Sequence, residues 1–169
     1  MASSGEPGRE LSCSDTVEEF IRRYGISGFI RRFELPVETV EGASQVTRAA
    51  PSDILKTIVV NYGSGFATIV VPGDRRVDLK KVSQVLEAKR VRLAKPDEVR
   101  AVTGFEVGGV SPLSECVRRN TKVVFDTRVL AKNFVWCGGG DRYSLAYVSV
   151  RSLVEVLNPL IADVSSERV

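Results

Sequence analysis

The sequence predicts a single mixed α/β domain, built on a strongly curved mixed sheet or barrel with flanking helices. Its 169 residues are a length typical of one hydrophobic core. β-branched runs and amphipathic segments follow one another without a strict βαβ repeat, which favours a mixed sheet. No internal repeat or linker divides the chain. We therefore expect residues 1–14 to form an N-terminal tail and residues 15–169 to form one domain.

The first third predicts two helices around a strand. Asp15 to Glu18 spells a capping box, and the apolar spacing of TVEEFIRRY predicts a helix that Gly25 ends. GFIRRFEL predicts a strand. PVETVEGASQV begins with a proline suited to a first helical turn and predicts a short helix.

The middle of the chain contains the clearest hairpin. ILKTIVVN and FATIVVPG are joined by YGSG, and their near-continuous apolar character predicts strands buried on both faces. Asp78 is placed to cap a helix over LKKVSQVLEA. KRVRL then predicts a short strand, and KPDEVRAVTG predicts a helix that starts at Pro96 and ends at Gly104.

The last third predicts mostly strands. After the polar stretch LSECVRRN, strands are expected at KVVFD, NFVWCG and YSLAYVSV. Ser149 is placed to cap a final helix, VRSLVEVL, and IADVSS predicts one further strand.

Composition narrows the chemistry. Hydrophobic residues make up 43% and charged residues 27%, as in globular proteins. We see neither an apolar run of about 18 residues, the length of a membrane span, nor a secretory signal, so we expect a cytoplasmic protein without a membrane partner. There is no histidine, and three dispersed cysteines argue against a metal site and a disulfide framework. We expect no cofactor, and nucleophilic pairs with histidine are excluded.

Several residues allow both a plain and a functional interpretation. Residues 103–112, TGFEVGGVSP, form either a tight turn or a loop whose glycines let the backbone approach a ligand. Lys56 is either a strand-end lysine or a functional cation. Asp126 either caps a turn or orients a substrate. CGGGD is either a hairpin turn or an amide-rich nest. The basic doublets are either solvated surface or a phosphate-binding rim.

Four segments together resemble the YbaK/prolyl-tRNA synthetase-associated editing-domain family. They are LKTIVV, VPGDRRVDLKKVSQVLEAKRVRLAKPDEVRAVTGFEVGGVSP, VVFD and FVWCGGG, and the resemblance covers the chain beyond residue 15. It implies a small α/β protein that hydrolyses mischarged aminoacyl-tRNA in trans. The amino acid would be small, such as alanine or cysteine, with proline tRNA a candidate carrier. The partners would be the acceptor end of aminoacyl-tRNA and, as a further candidate, a synthetase.

The resemblance also implies roles for individual residues. The catalytic set would be a lysine, two loop glycines that stabilise an oxyanion and an acidic residue: Lys56, Gly108, Gly109 and Asp126. Residues around them would bind the substrate: Thr57, Val110, Ser111, Pro112, Gly138 and Gly139. Two basic doublets would contact tRNA: Arg75, Arg76, Lys80 and Lys81.

The chain departs from this family pattern at two positions. Relatives that clear cysteinyl-tRNA commonly have a serine and an aspartate where this chain has Gly138 and Leu145. The departure argues against specificity for cysteine. It also keeps open an alternative, in which the chain is a non-catalytic module that binds tRNA ends or a synthetase.

Overall fold

A computed structural model describes residues 15–168, so the expected tail at residues 1–14 lies outside the described residues. The described helices are α1 (Val17–Tyr24), α2 (Val40–Thr47), α3 (Leu79–Leu86), α4 (Pro96–Thr103), α5 (Glu115–Asn120) and α6 (Val150–Leu157). The described strands are β1 (Gly28–Arg32), β2 (Leu55–Asn61), β3 (Phe66–Pro72), β4 (Arg75–Val77), β5 (Arg92–Leu93), β6 (Lys122–Asp126), β7 (Phe134–Gly138), β8 (Ser144–Ser149), β9 (Leu160–Ala162) and β10 (Ser165–Glu167). Two short 3₁₀ helices lie at Pro51–Asp53 and Thr127–Ala131.

The described strands form three sheets. The largest has five strands in the order β5-β2-β3-β6-β9, with antiparallel pairing around β2 and parallel pairing around β6. A three-stranded antiparallel sheet has the order β1-β8-β7, and β10 pairs with β4. The predicted mixed α/β fold is therefore confirmed. The expected single curved sheet or barrel is instead divided into three sheets.

Strand β3 lies at the centre of the core. Six of its seven residues are buried, because helices and strands cover both of its faces. Val70 packs into one apolar cluster together with Leu55 and Phe125. Ile69 and Val71 point the other way, into a second cluster that includes residues of α3. The expectation that the hairpin strands are buried on both faces is confirmed for β3.

Local structure differs from the sequence-based expectation at several places. Thr16, and not Asp15, is the N-cap of α1, and its hydroxyl accepts a hydrogen bond from the Glu19 N–H at 3.1 Å. The polar stretch LSECVRRN contains α5, capped by Ser114; its six residues are too few to show a clear period. Strand β4 was also not predicted. Cys116 is disulfide-bonded, although the cysteine pattern argued against a disulfide framework.

A buried carboxylate ties the end of the chain to the main sheet. Oδ2 of Asp126, at the end of β6, accepts hydrogen bonds from the Val164 N–H at 3.0 Å and the Ser165 hydroxyl at 2.7 Å. Oδ1 accepts from the backbone N–H and the guanidinium of Arg128, at 2.9 and 3.1 Å. Burial by itself would raise the pKa of Asp126, but these hydrogen bonds outweigh it and hold the pKa below its usual value.

We predict that Asp126→Asn lowers the free energy of unfolding at pH 7 by about 2–4 kcal/mol. The variant loses the charge that accepts these hydrogen bonds, and the NH2 group of its amide faces N–H and O–H groups that are themselves donors. Urea denaturation measures the loss. Since the folded-state pKa is depressed, the stabilisation is present above about pH 4 and is lost as the pH falls through that folded-state pKa. The difference in free energy of unfolding between the wild-type protein and Asp126→Asn should therefore become smaller below about pH 4.

The matched control for this variant is Glu34→Gln, which neutralises an exposed carboxylate and should change the free energy of unfolding by less than about 0.5 kcal/mol. If the loss in Asp126→Asn were the same at pH 7 and pH 3, the stabilisation would come from packing and not from the charge.

Candidate active site

A cavity of about 430 Å³ follows the open edge of β2. That strand pairs with β3 along its whole length, but with β5 only at Val60 and Asn61. The rest of this edge faces the cavity, which α2, the segment after α4 and the end of β7 close. Most of the lining is aliphatic and includes Val37, Val40, Ile54, Val59, Val99 and Leu145.

Lys56 and Thr57 both line the cavity. Neighbouring residues of a strand point to opposite faces, and both reach the cavity because it runs along the strand's edge. The Val59 carbonyl on this edge accepts a hydrogen bond from the Ala94 N–H at 2.9 Å. Backbone groups two residues apart point to the same edge, so the N–H and C=O of Thr57 face the cavity too. The Thr57 hydroxyl is buried and has no hydrogen-bond partner among the described residues.

The Lys56 ammonium is half-buried, and no residue between 15 and 168 gives it a hydrogen bond or an ion pair. Burial lowers the pKa of Lys56, and the positive charge of Arg168 lowers it further. Glu41 and Asp74 oppose this effect, while Arg76 adds to it. A poorly solvated cation without a protein counter-ion is stabilised by an anionic ligand, so this position suits a phosphate or a developing oxyanion.

The loop between α4 and α5 contributes backbone rather than side chains. Gly108 has φ +91°, a conformation that only glycine adopts at low cost, and it lines the cavity together with Val107 and Val110. Within the described part of the chain, the amides of Gly108 and Val110 donate no hydrogen bond. These two N–H groups are thus available to a ligand.

The other residues of this loop are structural. The Gly109 N–H donates to the Glu106 carbonyl at 2.9 Å, so the structure does not leave this amide free for the oxyanion role expected of it. Ser111 and Pro112 are buried and do not line the cavity. The Ser111 hydroxyl accepts from the Leu113 N–H at 3.1 Å, which fixes the chain as it enters α5. Both residues thus lie behind the cavity wall and support the loop.

The second glycine segment divides in the same way. Gly138 lines the cavity, and a Cβ atom there would collide with the Val110 carbonyl. Gly139 forms the β7–β8 turn, where its N–H donates to the Ser144 carbonyl at 2.9 Å, and it does not line the cavity. Gly138 and Leu145, the two departures from the family pattern, are direct cross-strand partners.

The remaining predicted residues lie elsewhere. Asp126 is absent from the cavity wall, and its carboxylate oxygens accept hydrogen bonds from Arg128 and from Val164 and Ser165, so the structure places this carboxylate in a buried network and not at the cavity. Arg75 and Lys81 donate to Ser165, so of the four expected tRNA contacts only Arg76 and Lys80 are exposed. Burial raises the pKa of the Cys137 thiol to about 12, which makes this thiol a poor nucleophile.

Three charged residues at the cavity were not identified from the sequence. Glu38 pairs with Arg142 at 3.0 Å, and Glu41 pairs with Arg168 at 3.1 Å. Glu38, Glu41 and Arg168 all line the cavity. No sequence pattern marks them, because α2 and the strand before Arg168 are brought to β2 by tertiary contacts.

Two kinds of feature are absent from residues 15–168. None of the helices in this range is long and apolar enough to cross a membrane. The same residues contain no group of three or more histidine, cysteine, aspartate or glutamate side chains arranged to hold a metal ion.

Comparison with known proteins connects this cavity to a family. Residues 34–156 match the model of the aminoacyl-tRNA editing domain. A proline–tRNA ligase of Bacillus cytotoxicus is 31% identical over 115 residues, which are 68% of this chain but 20% of the ligase. The chain thus spans about a fifth of the length of such ligases. The uncharacterized protein YwhH of Bacillus subtilis is 30% identical over 127 residues, which are 75% of this chain and 79% of YwhH.

Solved structures agree with this match. The hypothetical protein APE2540 superposes with a TM-score of 0.82 at 33% identity, covering 90% of this chain and all (100%) of that one. A candidate trans-editing enzyme for prolyl tRNA synthetase has the same fold, with a TM-score of 0.79 at 24% identity over 95% of this chain and 98% of its own. With the family model covering most of its length, the chain belongs to the aminoacyl-tRNA editing domain family.

Proposed function

We propose that this protein is an aminoacyl-tRNA deacylase that hydrolyses the ester of mischarged tRNA in trans. The amino acid would be small, with alanine the first candidate and cysteine the second, and tRNA-Pro would be the carrier. Family membership supports the reaction, and the proline–tRNA ligase relatives support the choice of tRNA. The likeness to YwhH over most of its length supports action in trans.

One observation carries the proposal: Lys56, whose ammonium has no ion-pair partner among the described residues, lines the same cavity as Gly108 and Val110, whose amides donate no hydrogen bond there. In ester hydrolysis, water adds to the carbonyl carbon and forms a tetrahedral oxyanion. The bond to the ribose oxygen then breaks, and that oxygen takes up a proton. Amides fixed in advance stabilise the oxyanion, and one such donor contributes a factor of about 10²–10³ in rate. We assign this role to the Gly108 and Val110 amides, and we assign Lys56 to electrostatic positioning of the tRNA end.

The chain has no histidine, so another group must activate the water. A ribose hydroxyl or the α-amino group of the substrate itself could do so once the cavity holds it in place. The protein would then contribute geometry and charge, which is what the backbone-lined cavity offers.

The cavity wall favours selection by size. Its aliphatic lining admits a small side chain, and Leu145 occupies space at the position where relatives have an aspartate. Discrimination by size alone yields about 10–200-fold per methylene, so contacts to the tRNA would add to the selectivity.

The alternative is a non-catalytic module that binds tRNA ends or a synthetase. Gly138 and Leu145, where relatives that clear cysteinyl-tRNA have serine and aspartate, favour it. One measurement distinguishes the two proposals. It is the rate at which tRNA-Pro charged with alanine, cysteine, serine or proline loses its amino acid, with and without the protein. The enzyme is supported if a small-residue ester turns over faster than it does spontaneously. Spontaneous rates throughout, together with saturable tRNA binding, would support the module.

We predict that Lys56→Ala lowers kcat/KM by at least tenfold, because the cavity loses its only unpaired cation among the described residues. The melting temperature should stay within about 2 °C. Lys89→Ala removes an exposed lysine outside the cavity and serves as the control. Unchanged turnover in Lys56→Ala would exclude this lysine from the reaction.

We predict that Gly108→Ala lowers kcat by about 10²-fold, because a side chain at φ +91° must move the backbone, and its Cβ would lie 3.0 Å from Glu38 Oε2. Gly63→Ala is the matched control. Gly63 has φ +98° in an open turn, so it carries the same backbone strain away from the cavity. Equal activity losses in both variants would point to strain and not to the oxyanion donor.

A further inference from the structure

The last described strand ends beside the cavity. Strand β10 pairs with β4 so that Ser165 faces Val77 and Glu167 faces Arg75. Only residues 73 and 74 separate β4 from β3, and β3 places Val71 opposite Lys56. The residue after β10, Arg168, therefore lies near the Lys56 end of β2, where it lines the cavity.

Strand β10 is held by several hydrogen bonds in addition to its pairing with β4. The Ser165 carbonyl accepts from the Lys81 ammonium at 2.7 Å and from the Arg75 guanidinium at 3.2 Å. The Val164 carbonyl accepts from the Asp78 N–H at 2.9 Å. The Asp126 carboxylate holds the same two residues from the β6 side. These contacts fix the backbone immediately before Arg168.

The Arg168 side chain remains available to a ligand. It is 51% exposed, and Glu41, with which it forms an ion pair, is 66% exposed. Exposed ion pairs contribute little net stability, so a competing anion can displace Glu41. Arg168 and Lys56 both line the cavity, together with Glu41. Arg76, the exposed cross-strand partner of Ser166, adds positive charge nearby, since the charges of Arg168 and Arg76 both lower the pKa of Lys56, whereas those of Glu41 and Asp74 raise it.

We propose that Arg168 binds a backbone phosphate of the single-stranded 3′ end of tRNA at the cavity mouth. This inference rests on the proposed function, because it takes the cavity to hold the aminoacyl ester. A guanidinium offers paired N–H donors that match two phosphate oxygens. A phosphate held there would anchor the 3′ end of the tRNA while the ester enters the cavity. Arg168 therefore contributes to substrate binding, and the residues of the cavity wall carry out the chemical step.

The first test compares Arg168→Ala with the wild-type protein on Ala-tRNA-Pro. KM should rise about 3–10-fold while kcat stays within twofold, because the lost contact is equal in the ground and transition states. The slope of log KM against log salt should fall in magnitude by about 0.7, the value for one phosphate of a single strand. Arg151→Ala removes an 89% exposed arginine on α6 and should leave both quantities unchanged.

The second test separates phosphate binding from a structural role of the ion pair. Glu41→Gln breaks the contact with Arg168 but frees the guanidinium. If Arg168 binds phosphate, Glu41→Gln should lower KM, the opposite of Arg168→Ala. If the pair only supports the fold, both variants should raise KM together, and the proposal is wrong. Arg168→Lys should keep most of the dependence of KM on salt but lose part of the affinity, since an ammonium lacks the paired N–H donors of a guanidinium.

The same experiments distinguish this inference from the proposed function. A fluorescently labelled, uncharged acceptor-stem minihelix with a single-stranded 3′ end measures binding without turnover. If wild-type protein hydrolyses Ala-tRNA-Pro but Arg168→Ala has the same KM, minihelix affinity and salt slope, the phosphate contact is excluded and the deacylase stands. If no ester turns over but the minihelix binds more weakly to Arg168→Ala than to Arg151→Ala, the deacylase proposal fails and the contact is supported.

Discussion

The unpaired edge of β2 is the constraint on which the candidate site depends. An exposed strand edge presents free N–H and C=O groups and normally has to be covered. Here β5 pairs with only two residues of β2, and α2, the loop after α4 and the end of β7 enclose the rest. Because the cavity follows an edge, it receives backbone groups of Thr57 and residues from both faces of the strand. Lys56 and Thr57 can therefore line one cavity although they are neighbours in the sequence.

Close backbone packing shapes the opposite wall. Gly138 lies against the Val110 carbonyl, and Gly109 lies against Gly140, with no room for a side chain at Gly138. A serine at position 138 would require the 106–112 loop to move away from β7. Gly138 and its cross-strand partner Leu145 both line the cavity, and an apolar wall strengthens electrostatic interactions with the free amides.

The sequence predicts features that depend on neighbouring residues better than features that depend on distant ones. The β2–β3 hairpin and the caps at Asp78 and Ser149 follow from short patterns, and all are found. The hydrogen-bond partner of the Gly109 amide and the burial of Asp126 depend on contacts that no local pattern encodes. Asp126 has the signature of a turn cap, which it is, but its bonds to Val164 and Ser165 span 38 and 39 residues. Lys56 could be distinguished from an ordinary strand-end lysine only through the family resemblance.

The distribution of charge argues for the kind of ligand that the cavity accepts. Its interior is aliphatic, whereas its rim carries both signs: Glu38 and Glu41, and Lys56 and Arg168. The end of an aminoacyl-tRNA carries a positive α-ammonium group and negative phosphates on either side of an uncharged ester. A rim with both signs around an apolar interior fits such a ligand. Glu38, which lies beside Gly108, can meet the α-ammonium and the cations can meet the phosphates, while the ester lies beside the amides of Gly108 and Val110.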